Sequence, residues 1–258
     1  MAELPDLSVF ANILTRRFKG KTLKRLEVKY AKKLNLTTAE LQKELENKKL
    51  NKVLRSGKTL QFHFEKDKIL GLHLMLRGEL NAVSEKDPLP KYTILAFYFS
   101  GGEGFAVTDS LKQATPTLSP PENKVPDALD ITENEFLALL KKKKKSIKEL
   151  LMDQKALRGI GNSYGDEILW EARISPLSVA NKIPEKQARL LYESISKVLN
   201  QAIKDITKEN GNELTGELRD FMKVHGAHIR KSPTGANIKS DKIGGRSTYY
   251  TDEQHLYS

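Results

Sequence analysis

A change of periodicity near the middle of the chain constrains its fold more than any other feature. From Leu23 to Asp109 the segments LKRLEVKYAKKL, KVLRSGKTLQFHFE, KILGLHLMLRGELNAV and YTILAFYFSGGEGFAVTD alternate apolar with polar residues and are broken by Gly, Asp and Lys turns. A period of two belongs to strands, so this half predicts an antiparallel sandwich or barrel. From Thr132 the apolar residues recur three and four apart, in TENEFLALLKKKK, SIKELLMDQKAL, SYGDEILWEA and PEKQARLLYESISKVLNQAIKDITKE, which is the period of helices. The Pro-rich TPTLSPPENKVPDALD lies between the two textures and reads as a linker. Ahead of the strands, Phe10, Ile13, Leu14 and Phe18 fall at helical spacing behind Pro5 and Asp6, which suit a first helical turn. The final stretch, HGAHIRKSPTGANIKSDKIGGRSTYYTDEQHLYS, returns to short strands and turns. The class expected is α+β: an N-terminal β-sandwich with a leading helix, then a helical domain that closes with a β-hairpin.

Composition narrows the function. A chain of 258 residues, 38% hydrophobic and 30% charged, is long enough to bury a core and too apolar to be disordered. It lacks an apolar run of membrane-spanning length, and MAELPDLSVF lacks the basic stretch and apolar run of a secretory signal, so no membrane association and a cytoplasmic location are expected. The absence of cysteine excludes disulfides and cysteine-ligated zinc, and five scattered histidines make a poor metal set, so no cofactor is expected. The 44 basic against 33 acidic residues give a formal charge of +11, which favours a polyanion, nucleic acid first. The five lysines at 141–145 read instead as the solvated end of a helix.

Two stretches carry the chemistry. In MAELPDL, removal of Met1 would expose the α-amine of Ala2, a group whose ordinary pKa of about 7.7–8.0 leaves a nucleophilic fraction at neutral pH. In LLMDQKALRGIGNSYGDEILWEARISPL, one helix is expected to end at Leu157 or Arg158 and a second to start just after Asn162. The start of that second helix, with the Asn162 amide beside it, makes a phosphate site, while an ordinary helical hairpin is the plainer reading. RSGKT forms a tight turn that would hold Lys58 out on a loop tip.

The second stretch resembles the helix–two-turns–helix signature of the Fpg/Nei family, the formamidopyrimidine-DNA glycosylases and endonuclease VIII enzymes. ELP at 3–5, SGK at 56–58, ELRDF at 217–221 and GGRSTYY at 244–250 resemble further family landmarks in the same order. The resemblance implies a base-excision-repair DNA glycosylase with abasic-site lyase activity, a monomer acting on damaged double-stranded DNA, and nucleoid-associated if bacterial. It implies Ala2 as the nucleophile forming a Schiff base with C1′ and Glu3 as the general acid/base. Lys58 would contact phosphate and sugar near the lesion, and would be the alternative nucleophile if Met1 stays. Asn162 would hold a phosphate, Arg246 would grip the lesion's own phosphates, and Leu76 or the adjacent Met75 would wedge into the duplex. The parts implied are a catalytic β-sandwich over 1–115, a linker over 116–130, a helix–two-turns–helix domain over 131–222 and a zincless finger over 223–258.

The chain departs from the family pattern at several places. Proline usually stands where Ala2 does, TDSLKQA replaces an Arg-Arg-Phe loop and leaves Leu111 and Lys112 in its neighbourhood, and the four zinc cysteines are missing. The segment after LRDF runs almost directly into KVHGAHIRK, without the long loop that covers oxidised guanine in some members. The rival expectation is a protein that binds damaged or abasic DNA and has lost efficient catalysis.

Overall fold

A computed structural model describes residues 1–214 and 217–258. The chain divides into two compact units, the first of residues 1–123 with 206–218, the second of 124–205 with 219–258.

The first unit opens with helix α1 (Leu4–Phe18) and continues through strands β1 (Leu23–Val28), β2 (Leu50–Ser56), β3 (Thr59–Phe64), β4 (Lys68–His73), β5 (Gly78–Ser84), β6 (Thr93–Phe99), β7 (Glu103–Asp109) and β8 (Thr115–Leu118). The strands form two antiparallel sheets, ordered β1-β6-β7-β5 and β2-β3-β4-β8. Between the sheets lies an aromatic slab: Phe62 of β3 stacks on Phe97 and Phe105 at 5.8 and 5.3 Å between centroids, and Phe18 of α1 stacks on Phe99 at 4.6 Å. Such offset stacks bury large apolar area and add specific geometry to it. TILAFYF lacks alternation because Val83, Ala96, Tyr98, Ala106 and Leu89 cover the outer face of its sheet as well. β2 is an edge strand, and α1 satisfies part of that edge: Thr15 Oγ donates to the Val53 carbonyl at 3.0 Å and accepts the Val53 N–H at 2.8 Å.

Two features of this unit differ from expectation. A short helix α2 (Thr38–Leu45) interrupts the strand texture, opened by a reciprocal capping box between Thr37 and Glu40. The Pro-rich stretch begins with β8, which adds to the edge of the second sheet beside β4.

The second unit holds α3 (Glu133–Lys141), α4 (Ile147–Met152), α5 (Asn162–Glu171), most of α6 (Glu185–Asn210) and the hairpin β9 (Lys239–Ile243) with β10 (Arg246–Tyr250). α6 buries Leu191, Ile195, Leu199 and Ala202, one stripe at three and four spacing. α4 stops at Met152, five residues short of the expected end at Leu157. The reason is that Asp153 accepts the Lys155 N–H and the Gln154 amide donates to the Met152 and Ile160 carbonyls, so side chains take over the backbone groups a helix would use. Gly161, not Asn162, is the boundary residue of α5, and Asn162 opens its first turn. The hairpin turn is Gly244-Gly245 with φ of +56° and +75°, the left-handed pair that a two-residue turn between twisted strands requires.

Candidate active site

The site of the first unit is built where α1 begins. The Asp6 carboxylate takes the Glu3 N–H at 2.8 Å while the Glu3 carbonyl accepts the first helical bond from Leu7, so the terminus is fixed rather than frayed. Ala2 is 5% exposed and Glu3 2%. At Ala2 opens a pocket of about 380 Å³, lined by Met1, Ala2, Phe10, residues 76–80 where the β4–β5 turn enters β5, and Glu217. The α-ammonium of Met1 forms an ion pair with Glu217.

Lys58 is not on a projecting loop tip. It is 8% exposed, in the two-residue Gly57-Lys58 turn between β2 and β3. Arg55 draws this turn against α1: its Nε donates to Ser8 Oγ at 3.0 Å and its guanidinium to the Gly57 carbonyl at 3.2 Å. On the other side Thr59 pairs with His73, whose imidazole is held below its ordinary pKa by burial and then by the Lys58 charge.

Two loops cross side by side between the sheets at this end. Gly78 pairs with Asp109, and His73 with Thr115, so residues 74–77 and 110–114 link the same two pairs of strand ends. Each loop presents one large apolar side chain, Leu76 at 56% and Leu111 at 48% exposure. Each is also braced. His73 Nδ1 accepts the Met75 N–H at 2.9 Å, and the buried Asp109 carboxylate accepts the N–H groups of Leu111, Gln113 and Ala114 at 2.7–2.8 Å. Leu76 lines the pocket together with Ala2; Met75, turned by a φ of +57°, does not. Lys112 leans over the Tyr30 ring, 5.2 Å from its centroid.

The second unit carries Asn162 and Arg246. The Asn162 Nδ2 donates to the Ser247 carbonyl at 2.8 Å, so the amide is tied to β10 directly beside the exposed Arg246. The hairpin is held by a buried ionic cluster. The Lys148 ammonium and Asp166 carboxylate, both fully buried, meet at 2.7 Å; the other Asp166 oxygen contacts His225 Nδ1 at 2.6 Å and accepts the Tyr249 N–H at 3.1 Å. Gly165 leaves room for the ammonium, because a Cβ at that position would lie 2.9 Å from Lys148 Nζ. Glu167, next in sequence, accepts the backbone N–H groups of Lys223, Val224 and His225; burial pushes its carboxyl up while those three donors pull it down. Among the described residues no group of three or more His, Asp or Glu side chains is placed to hold a metal ion.

The structure therefore brings Ala2 and Leu76 to one pocket, buries Glu3 next to Ala2 in the chain and Lys58 on the β2–β3 turn, neither of which lines that pocket, and joins Asn162 to the strand bearing Arg246. Sequence reasoning missed Arg77, Glu79 and Glu217 at the pocket and the Lys148–Asp166 pair beneath the hairpin. YGDE holds the only local signal for the latter: two adjacent acids inside a helix that is otherwise buried.

A helix-led β-sandwich whose second and third residues are buried, accompanied by a helical unit ending in a braced β-hairpin, defines a narrow class of proteins. Residues 1–115 match the profile of the formamidopyrimidine-DNA glycosylase N-terminal domain, and residues 124–211 that of the formamidopyrimidine-DNA glycosylase H2TH domain. The formamidopyrimidine-DNA glycosylase of Lactobacillus gasseri is 32% identical over 97% of each chain, and that of Mycoplasma mobile 30% identical over 97% of each. The structure of Lactococcus lactis Fpg in complex with an abasic site containing DNA superposes with a TM-score of 0.87 at 28% identity, covering 97% of this chain and 98% of that one. A Lactococcus lactis Fpg mutant bound to a Fapy-dG containing DNA gives the same score at 28% identity, with the same coverage. The chain belongs to the formamidopyrimidine-DNA glycosylase family.

Proposed function

We propose that the chain is a base-excision-repair DNA glycosylase with abasic-site lyase activity, acting as a monomer on damaged duplex DNA. The observation that carries this reading is that Ala2, 5% exposed, lines a pocket together with Leu76, with Glu3 buried next to it in the chain. Met1 is removed, and the neutral amine of Ala2 attacks C1′ of a nucleotide flipped out of the duplex. The N–C1′ bond forms as the glycosidic bond breaks, and the base leaves with the bonding electrons. The nitrogen then sheds one proton, the C1′–O4′ bond opens, and Glu3 delivers a proton to O4′, leaving a protonated imine. That cation acidifies C2′; loss of the C2′ proton expels the 3′ phosphate and breaks the strand by β-elimination.

The other residues position the substrate. Lys58 contacts phosphate and sugar beside the lesion, Leu76 with Met75 behind it fills the space the base vacates, and Asn162 and Arg246 hold phosphates. Residues 1–115 form the catalytic domain, 116–130 the linker, 131–222 the helix–two-turns–helix domain and 223–258 a zincless finger. The relatives are bacterial, and no described helix is long and apolar enough to cross a membrane; the location proposed is the cytoplasm, at the nucleoid.

Borohydride trapping on abasic duplex DNA tests the reading. A covalent adduct is expected for the natural protein, lost when an extra residue blocks the terminus, while Glu3→Gln slows base excision about 10²- to 10⁴-fold. Tight binding with no adduct under any condition would favour a damaged-DNA-binding protein without catalysis, a reading to which Leu111 and Lys112 in place of the family's Arg-Arg-Phe lend support.

A further inference from the structure

Glu217 reaches the pocket from a segment distant in sequence from both the terminus and the β4–β5 turn, and it is the carboxylate paired with the chain's α-ammonium. The other charged residues lining that pocket are Arg77 and Glu79, and Glu3 and Asp6 follow in the chain at the start of α1. Asp6 is engaged with the Glu3 N–H at 2.8 Å, and Glu3 is fixed by its place at the helix start. A primary amine turns about its Cα–N bond, so its lone pair has no set direction unless an acceptor takes one of its hydrogens. From the Met1 to the Ala2 nitrogen the amine moves back by one residue, about 3.8 Å along the chain, a shift that the rotatable bonds of a glutamate side chain can follow.

We propose that Glu217 is the positioning residue for the nucleophilic amine of Ala2. It accepts one amine hydrogen, which aims the lone pair into the pocket, and it stands as counter-ion when the nitrogen becomes cationic on bonding to C1′ and again in the protonated imine. Atoms and charges balance without a further reactant: the carboxylate stays ionised throughout, and the proton shed by the nitrogen passes to solvent. The inference rests on the amine reading above.

Single-turnover borohydride trapping with abasic duplex DNA tests it, comparing the natural protein with Glu217→Gln and Glu217→Asp and measuring the dissociation constant of each for the same DNA without borohydride. The expected result is a trapping rate about tenfold lower in Glu217→Gln at an unchanged dissociation constant, with Glu217→Asp recovering most of the loss. A role in packing alone predicts the opposite order, since glutamine keeps the size and aspartate does not. A natural protein that traps DNA while Glu217→Gln traps equally fast, or Glu217→Asp more slowly than Glu217→Gln, overturns the role of Glu217 and leaves the glycosylase reading standing. A natural protein that forms no adduct overturns both. If Glu217→Gln fails to fold, as judged by its thermal transition, the comparison of Glu217→Asp with the natural protein decides: a rate reduced tenfold or more in the aspartate variant counts against the proposal.

Discussion

The turn that carries Leu76 depends on one neutral imidazole. His73 Nδ1 accepts the Met75 N–H, and burial together with the Lys58 charge holds the ring below its ordinary pKa of 6.5; His63 on β3 is lowered likewise by burial and then by Lys52. The unfolded chain protonates these rings near 6.5, the folded chain only at lower pH. As the pH falls below that value the unfolded state binds more protons, so the stability present above it declines until the folded rings themselves protonate. The thermal midpoint is expected to drop between about pH 7 and pH 5, and His73→Gln to flatten part of that dependence; equal slopes for the two proteins would contradict it. Individual residues were unevenly legible. Ala2 and Glu3 stand in one contiguous motif, and a motif can be read. Arg77 and Glu79 come from one segment and Glu217 from another, and only the fold brings them to the pocket beside Ala2. Lys58 was misplaced because a tight turn suggests exposure, whereas Arg55 folds this one against α1.

Elements obey the same distinction between local and distant causes. α2 was legible through Thr37 and Glu40, whose spacing is that of a capping box, although the surrounding strand texture masked it. The early end of α4 was not, because it depends on the Gln154 amide meeting carbonyls on both sides of a turn. The hairpin of β9 and β10 is fixed by α5 through Asp166 and Asn162 rather than by its own residues alone. Lys148→Met, which leaves Asp166 without its cation, is expected to destabilise the second unit by about 3–5 kcal/mol in chemical denaturation. Replacing Lys148 and Asp166 together by apolar residues removes the lone buried charge but also the acceptor of the Tyr249 N–H, so the hairpin should loosen in the double variant too. A single variant as stable as the natural protein would show that the pair does not brace the hairpin.

For the whole molecule, the formal charge of +11 favours DNA, and the number of phosphates that its cations neutralise sets how affinity responds to salt. Arg246, exposed beside the Gly244-Gly245 turn, is proposed to hold a phosphate, so Arg246→Ala should weaken binding alike across sequences and reduce the slope of log affinity against log salt by about one unit. An unchanged slope would remove Arg246 from the interface. The α+β class was the most legible property of all, because periods of two and 3.6 are written along whole segments and tolerate local errors, whereas the grouping of residues 206–218 with the first unit has no such local signal. The hairpin has one more consequence. A thiolate finger is itself a target of peroxide, whereas this chain has no cysteine and its hairpin is clamped by a lysine, a carboxylate and a histidine. A hairpin held in this way keeps its fold under the very oxidants that damage DNA.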